Sequence, residues 1–292
     1  MLPSFPADPV ELGNRVLAAL SRLALRQFAS RPDPSATPEA IPTPLTAFFG
    51  RERDIESLTE LLRQKARFVT VRTPGGYGKT RLVLETVRRL GDSSRTIAFV
   101  DLAEAQTVIE LATCVATTMG LNLDRLSQEA PVQLVARVLQ GMSGVLILDN
   151  FEQLPTEARQ TVEDWANRAS GVQFLITSRV ALARTAERVL DLGTFPVPEP
   201  GDATDPKKVA ANPALQLFAD RVRAFRADFT LTAEAARSAI AICRRVECQP
   251  LLIEIMASQL RSRSLSTVVE DLEDKAWLES IESAQSSFGI DR

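Results

Sequence analysis

The most informative absence in this chain of 292 residues is histidine, which does not occur at all. Without it the chain lacks the commonest general base and the commonest metal ligand, which excludes hydrolases of the Ser-His-Asp or Cys-His type in their usual form. Cysteine is scarce, and Cys114, Cys243 and Cys248 form no Cys-x-x-Cys pair, so the sequence signals neither a disulfide framework nor a zinc site. We expect these thiols to be buried hydrophobic groups in a reducing cytoplasm.

Long apolar runs and a charge of one sign are also missing. No run approaches the roughly 20 apolar residues of a membrane-spanning helix, and residues 1–6 lack the basic segment that opens a signal peptide. The 34 basic and 37 acidic residues give a net charge of −3, which provides no electrostatic footprint for nucleic acid. Aromatic residues make up only 5%, so Leu, Val, Ile and Ala must build the core of one large or two modest domains.

The first 44 residues differ in composition from the rest. Residues 9–29 carry apolar side chains at helical spacing, with a basic edge formed by Arg15, Arg22 and Arg26. This amphipathic helix, within residues 1–30, has three interpretations: it packs on its own domain, it docks or oligomerises, or it lies on a membrane surface. Residues 31–44 are rich in proline and predict an extended linker.

Strand and helix patterns alternate over residues 45–200. The sequence predicts helices at 80–90, 104–119, 128–140 and 156–169, between strands at 67–72, 96–100, 145–148, 172–176 and 189–192. Such alternation implies right-handed crossovers and a parallel sheet flanked by helices, and the apolar strand 145–148 implies burial on both faces. We therefore predict an α/β domain over residues 45–200.

Only helical periodicity remains after a proline-rich stretch at residues 196–206. A helix is predicted from Asn212-Pro213 onward, and three more at 233–247, 250–261 and 266–282. These segments predict a small all-helical domain over residues 207–285, followed by a tail at 286–292.

A phosphate-binding loop lies between a predicted strand and a predicted helix, at residues 73–80 (TPGGYGKT). Backbone N–H groups of such a loop form an anion cradle, Lys79 reaches the β- and γ-phosphates, and the Thr80 hydroxyl ligates Mg²⁺. Thr73 stands where the strict pattern has its first glycine, so we expect a shifted start of the loop with the cradle retained. The motif predicts a P-loop NTPase that binds ATP or ADP with Mg²⁺, with backbone contacts from Gly75, Gly76 and Gly78.

Two further predicted strands are followed by charged residues that could act on a nucleotide bound at this loop. Asp149 follows strand 145–148 and is predicted to hold Mg²⁺, the alternative being a helix N-cap. Many P-loop ATPases place a second acid next to this position, but here Asn150 follows and cannot accept a proton, so Glu152 is the candidate and hydrolysis is expected to be slow. Arg179 follows strand 172–176 and is predicted to sense the γ-phosphate, the alternative being a surface arginine.

Taken in this order, the motifs resemble the NB-ARC-like nucleotide-binding module of STAND ATPases, the signal-transduction ATPases with numerous domains. The resemblance covers about residues 44–262 and is closest to bacterial members in regulators and defence proteins. It rests on residues 44–54, 148–154, 177–179 and 242–251 beside the phosphate loop.

The resemblance implies the remaining nucleotide contacts. It implies that Gly50 and Arg51 lie near the adenine and that Pro250 packs on it, and we add Arg81, which follows the loop, to the predicted contacts. Cys248-Gln249 replaces the Gly-Leu pair that the family has before this proline. The family's winged-helix domain, with its ADP-sensing histidine, would follow residue 292, so we expect either a fragment or a minimal member.

Three functions are compatible with these motifs. The first is an ATP/ADP switch of the STAND type, which controls conformation and assembly with protein partners or other copies of itself. The second is a nucleic-acid-handling ATPase of the AAA+ kind, for which Arg244 or Arg245 would supply a sensor arginine. The third is an interaction module that does not hydrolyse nucleotide, as the substitutions at Thr73 and Asn150 would allow.

Overall fold

The computed structural model describes residues 41–44, 46–91, 96–121, 131–184 and 186–271. The helix predicted within residues 1–30, most of the linker at 31–44 and the tail at 286–292 lie outside the described residues. In chain order the elements are α1 (Glu52–Arg63), β1 (Phe68–Arg72), α2 (Lys79–Leu90), β2 (Thr96–Asp101), α3 (Val108–Thr118), α4 (Pro131–Gln140), β3 (Gly144–Asp149), α5 (Thr156–Arg168), β4 (Val172–Ser178), β5 (Glu187–Asp191), α6 (Pro206–Ala211), α7 (Pro213–Arg223), α8 (Ala233–Arg245), α9 (Pro250–Gln259) and α10 (Leu265–Asp271).

The five strands form one parallel sheet in the order β2-β3-β4-β1-β5. Every residue of β3 and β4 is buried, as expected for strands that are covered on both faces. Because the strands are parallel, their carboxyl ends share one edge, where Asp101 of β2 pairs with Asp149 of β3. The predicted α/β fold with a parallel sheet is confirmed.

Helices cover both faces of the sheet. One apolar cluster joins the sheet to α3, α4 and α5, with Trp165 as its largest fully buried side chain. The other joins the sheet to α1 and α2 through residues such as Leu58 and Val83. This three-layer arrangement leaves the edge at the carboxyl ends of the strands open to a ligand.

The helices α6 to α10, at residues 206–271 and here called the helical bundle, have an apolar core of their own. Phe218, Ile242 and Met256 are among its fully buried residues. Proline begins α6, α7 and α9, where its missing N–H is no loss. The predicted helices that follow the sheet are confirmed, although the described part of the last one ends at Asp271.

The structure also contains elements that the sequence analysis does not predict. Helix α1 is one, although Ile55, Leu58 and Leu62 recur at helical spacing and are buried. Strand β5 runs over Glu187–Asp191 rather than 189–192, because it is a mostly exposed edge strand without a continuous apolar run. Cys243 and Cys248 are buried and Cys114 is half-buried, and all three thiols are free. None of the described helices is both long and apolar enough to cross a membrane.

Candidate nucleotide-binding site

The phosphate loop, residues 73–80, connects β1 to α2 and depends on two glycines. Gly76 has a φ of +81° and Gly78 a φ of +89°, both in the left-handed region that favours glycine. Thr73 is not among the described residues with a positive φ; it is buried, and its N–H donates to the carbonyl oxygen of Ser178 at 3.3 Å. A threonine therefore fits the first position of the loop without backbone strain.

Lys79 begins α2 and folds back over the loop. Its Nζ donates to the carbonyl oxygens of Thr73 at 2.9 Å and Pro74 at 3.2 Å. Burial lowers the pKa of Lys79, while the nearby Glu152 carboxylate opposes that shift. A largely buried ammonium group held by two neutral carbonyl groups favours an anion nearby, because the anion would stabilise its charged form.

Thr80 and Asp149 meet at the open edge of the sheet. The Thr80 hydroxyl lies 2.9 Å from both Asp149 carboxylate oxygens, and the Thr177 hydroxyl donates to Asp149 Oδ1 at 2.5 Å. Burial raises the pKa of Asp149, and the two hydroxyl donors partly offset that effect. A hydroxyl and a carboxylate at this spacing suit Mg²⁺, which takes oxygen ligands. Thr177, on the neighbouring strand, orients the carboxylate.

The alternative that Asp149 caps a helix is wrong. Its oxygens accept hydrogen bonds from Thr80 and Thr177, and the short 3₁₀ turn that follows is preceded by Asn150, which makes no side-chain cap. Asn150 has a φ of +60° and donates from its Nδ2 to Asp101 Oδ1 at 3.0 Å. It therefore ties the ends of β2 and β3 together.

Glu152 and Arg179 face each other beside the loop. Arg179 Nε lies 3.3 Å from Glu152 Oε1, and the Arg179 side chain is one third exposed at 33%. Both residues line the same cavity as Lys79. Arg179 is thus a cavity residue rather than a plain surface arginine.

The helical bundle closes over the loop. Gln249 Nε2 donates to the carbonyl oxygen of Gly75 at 2.9 Å, and the N–H of Leu251 donates to that of Gly76 at 3.1 Å. Between the bundle and the sheet edge lies a cavity of about 320 Å³, here called the phosphate cavity. It is lined by Gly75, Gly76, Gly78, Lys79, Thr80, Arg81, Asn150, Glu152, Gln153, Arg179, Pro250, Leu251 and Glu254.

A second, smaller cavity of about 50 Å³ adjoins the first and is here called the aromatic cavity. It is lined by Ala47, Phe48, Phe49, Arg51, Tyr77, Gly78, Arg81, Phe195, Leu217, Pro250 and Glu254. Its apolar and aromatic wall suits the flat ring system of a nucleobase.

The residues that the resemblance assigns to the adenine lie in or beside this aromatic cavity. The Arg51 guanidinium stacks over the Phe195 ring at 4.8 Å and donates to the Tyr77 carbonyl oxygen at 3.3 Å. Pro250 lines both cavities. Gly50 lines neither: with a φ of +62° it packs against Pro213, and an added Cβ would lie 2.7 Å from the proline Cβ. The absence of a side chain at Gly50 therefore lets the backbone ahead of α1 lie directly against the bundle.

Apart from Gly50, the predicted site residues are brought together from segments far apart in the chain. The residues present fit a magnesium nucleotide, because the cavity combines a buried ammonium group, an open loop backbone at Gly78 and the Thr80–Asp149 oxygen pair. When bound, such a nucleotide supplies a transferable γ-phosphate. Sequence reasoning missed Thr177 as a partner of Asp149 and missed Gln249, whose contact spans a separation of 174 residues.

Comparison with known proteins finds a matching domain family and two bacterial relatives. Residues 61–183 match the model of the AAA domain family. An uncharacterized protein of Mycobacterium tuberculosis is 28% identical over 238 residues, which cover 79% of this chain and 55% of that protein. A proposed HTH-type transcriptional regulator of the same organism is 28% identical over 208 residues, covering 71% of this chain and 22% of the regulator. The chain thus spans about half or less of the length of these relatives.

The fold has a counterpart among solved structures. The Walker-type ATPase of Pyrococcus abyssi superposes with a TM-score of 0.52 at 13% identity, over 89% of this chain and 79% of that one. Such identity shows the fold alone. The fold is that of a P-loop NTPase, and residues 61–183 within it match the AAA domain family.

Proposed function

We propose that this protein binds ATP and ADP with Mg²⁺ between the ATPase domain and the helical bundle, and that it acts as a slow, nucleotide-controlled switch of the STAND type. In this proposal Lys79 binds the β- and γ-phosphates. Thr80 and Asp149 hold Mg²⁺, and Arg179 contacts the γ-phosphate. Protein partners or further copies of the chain would respond to the state of the bundle.

The observation that carries the proposal is the pair of hydrogen bonds from the bundle to the phosphate loop. Gln249 and Leu251 bind the carbonyl oxygens of Gly75 and Gly76, the residues whose N–H groups would face the phosphates. Because the bundle contacts the phosphate loop directly, a change in the loop between its ATP-bound, ADP-bound and empty forms would alter these contacts. A nucleotide shifts such an equilibrium by its differential affinity for the two arrangements.

Slow hydrolysis follows from the residues beside the γ-phosphate position. Asn150 cannot take a proton from water, and the nearest candidate base, Glu152, is ion-paired with Arg179 at 3.3 Å. Turnover needs this pair to separate, so we expect a rate below the roughly 1 to 1,000 per second of typical enzymes. Long-lived nucleotide states suit a switch.

A regulatory role has support from one relative. The Mycobacterium tuberculosis protein with which this chain shares 28% identity is named as a proposed HTH-type transcriptional regulator, and it is several times longer than the shared segment. A nucleotide module within a longer regulator is the arrangement that the switch proposal requires.

The nucleic-acid-handling alternative finds less support at the cavity. Arg244 donates to the carbonyl oxygen of Pro198 at 2.8 Å and lies 3.5 Å from the Glu199 carboxylate. The described lining of the phosphate cavity contains Arg81 and Arg179 but neither Arg244 nor Arg245. Neither of the two arginines named for this alternative therefore lines the phosphate cavity.

The proposal is tested by the nucleotide content of the purified protein. The protein would be denatured and the released nucleotide separated by chromatography, with the Lys79→Ala variant in parallel and Lys207→Ala as an exposed control. We expect ADP or ATP in the unmodified protein and the control, and none in Lys79→Ala. An unmodified protein that carries no nucleotide and also ignores added Mg-ATP would contradict the proposal and favour a non-hydrolysing interaction module.

A further inference from the structure

Glu254, on helix α9, lies where the phosphate cavity and the aromatic cavity meet. Besides Glu254, only Gly78, Arg81 and Pro250 among the described residues line both cavities. In a nucleotide the sugar joins the base to the phosphates. A nucleotide with its phosphates on the loop and its base in the aromatic cavity would therefore place its sugar beside these residues.

Glu254 is the member of this set whose side chain can accept a hydrogen bond. Glycine and proline offer no side-chain polar atom, and Arg81 only donates, being bonded to the carbonyl oxygens of Thr46 and Ala47 at 2.8 Å. We propose that Glu254 recognises the ribose of the bound nucleotide by accepting hydrogen bonds from its hydroxyl groups. The inference rests on the proposed function, because it takes the two cavities as the nucleotide site.

The contacts of Glu254 leave one oxygen for this task. Its Oε1 lies 3.0 Å from Arg221 Nε and 3.9 Å from Arg81 Nη1. Oε2 takes part in neither contact and has no other hydrogen-bond partner among the described residues. The Glu254 side chain is 34% exposed, and Glu254 lines both cavities.

The guanidinium groups of Arg221 and Arg81 prepare the Glu254 carboxylate to select a ligand that carries ribose hydroxyl groups. They hold the side chain in one orientation, which reduces the conformational entropy lost on binding a hydroxyl. They also offset the repulsion that an acidic group would otherwise exert on the nearby phosphates. Charge-assisted hydrogen bonds to a carboxylate are stronger than neutral ones, so the loss of a hydroxyl from the ligand should lower its affinity.

The test compares sugars rather than activities. Calorimetric titrations would measure the binding of ADP, 2′-deoxy-ADP and 3′-deoxy-ADP to the unmodified protein, to Glu254→Met and to Glu234→Met, an exposed control at the start of α8. We expect the unmodified protein and the control to prefer ADP by about tenfold over at least one deoxy analogue. Glu254→Met should bind all three within about twofold, with the affinity for that deoxy analogue retained.

The outcomes separate this inference from the function on which it rests. Equal binding of all three nucleotides by the unmodified protein would overturn the role of Glu254 while leaving the nucleotide site intact. Undiminished discrimination by Glu254→Met would overturn it as well. An unmodified protein that binds none of the three would instead contradict the proposed function. The thermal unfolding midpoint of each variant shows whether a changed affinity reflects loss of fold.

Discussion

Gln249 of the helical bundle donates a hydrogen bond from its Nε2 to the carbonyl oxygen of Gly75 in the phosphate loop, at 2.9 Å. A side chain just ahead of α9 thus contacts the backbone that would cradle the phosphates. The neighbouring Leu251 makes the same kind of contact through its backbone N–H to Gly76, at 3.1 Å. Because one contact is backbone and the other is side chain, substitution of Gln249 alone weakens the docking of the bundle without abolishing it.

Replacement of Gln249 by alanine should speed the release of ADP. The loss of one hydrogen bond, about 0.5–1.5 kcal/mol, predicts a release rate about 2- to 13-fold higher if the bundle must move away for nucleotide to leave. Stopped-flow fluorescence with a labelled ADP measures this rate. Gln64→Ala is the control, because it removes an exposed hydrogen bond to Glu60 on α1. An unchanged release rate would mean that the bundle does not gate the site.

The two left-handed glycines of the loop should respond differently to alanine. At Gly78 the added Cβ meets nothing within 4 Å, so only the backbone strain of about 1–2 kcal/mol applies. At Gly76 the Cβ would also lie 2.8 Å from Gln249 Nε2 and 3.0 Å from the Cβ of Leu251, so the Gln249 side chain and the start of α9 must shift. We expect Gly76→Ala to lower the free energy of unfolding by about 2–4 kcal/mol, against about 1–2 for Gly78→Ala.

Urea unfolding of both variants measures this difference. Equal destabilisation of Gly76→Ala and Gly78→Ala would show that the bundle moves away from the loop at little cost in free energy. In that case its contact with the loop is too weak to transmit the nucleotide state. The size of the difference therefore measures how firmly the bundle is docked.

Local patterns account for what the sequence predicts well. The phosphate loop and the buried strand before Asp149 are each specified within a few residues, by glycines at fixed spacing and by a continuous apolar run. The carboxyl ends of parallel strands share one edge of the sheet, so local signals are enough to predict that these residues lie close together.

Contacts between distant segments account for what the sequence does not predict. The bond from Gln249 to Gly75 depends on how the bundle docks, and no spacing rule encodes docking over such a distance. The role of Thr177 depends on which strand lies between β1 and β3. Thr73 is a third case: the motif alone predicts a shifted start of the loop, and only the backbone angle of Thr73 and its bond to Ser178 show that threonine is accommodated without strain.

Thr177 should control magnesium binding although it is not a predicted ligand. Thr177→Val keeps the volume but removes the hydroxyl that bonds to Asp149 Oδ1 at 2.5 Å. We expect the affinity for Mg²⁺ in the presence of ADP to fall about tenfold, as is typical when a partner of a metal ligand is lost. Thr86→Val, an equally buried change within α2, is the control.

Titration of Mg²⁺ against the ADP-bound protein, with Asp149→Asn as the reference for a lost ligand, measures this effect. Asp149→Asn should bind ADP equally with Mg²⁺ and with a chelator. If Thr177→Val bound Mg²⁺ as tightly as the unmodified protein does, Asp149 would not need the hydrogen bond from Thr177 of β4 to bind the ion.

Arg179 should distinguish ATP from ADP. Its guanidinium lines the phosphate cavity beside Glu152, so a γ-phosphate would compete with that carboxylate for it. Because a hydrogen bond to a charged group contributes about 1.5–3 kcal/mol, Arg179→Ala should weaken a non-hydrolysable ATP analogue about 10- to 100-fold while ADP changes less than about twofold. Calorimetry on this variant and on Arg168→Ala, an exposed control on α5, measures both affinities. Equal losses for the two nucleotides would mean that Arg179 only shapes the cavity, and the ability to sense the γ-phosphate would have to lie in Lys79 alone.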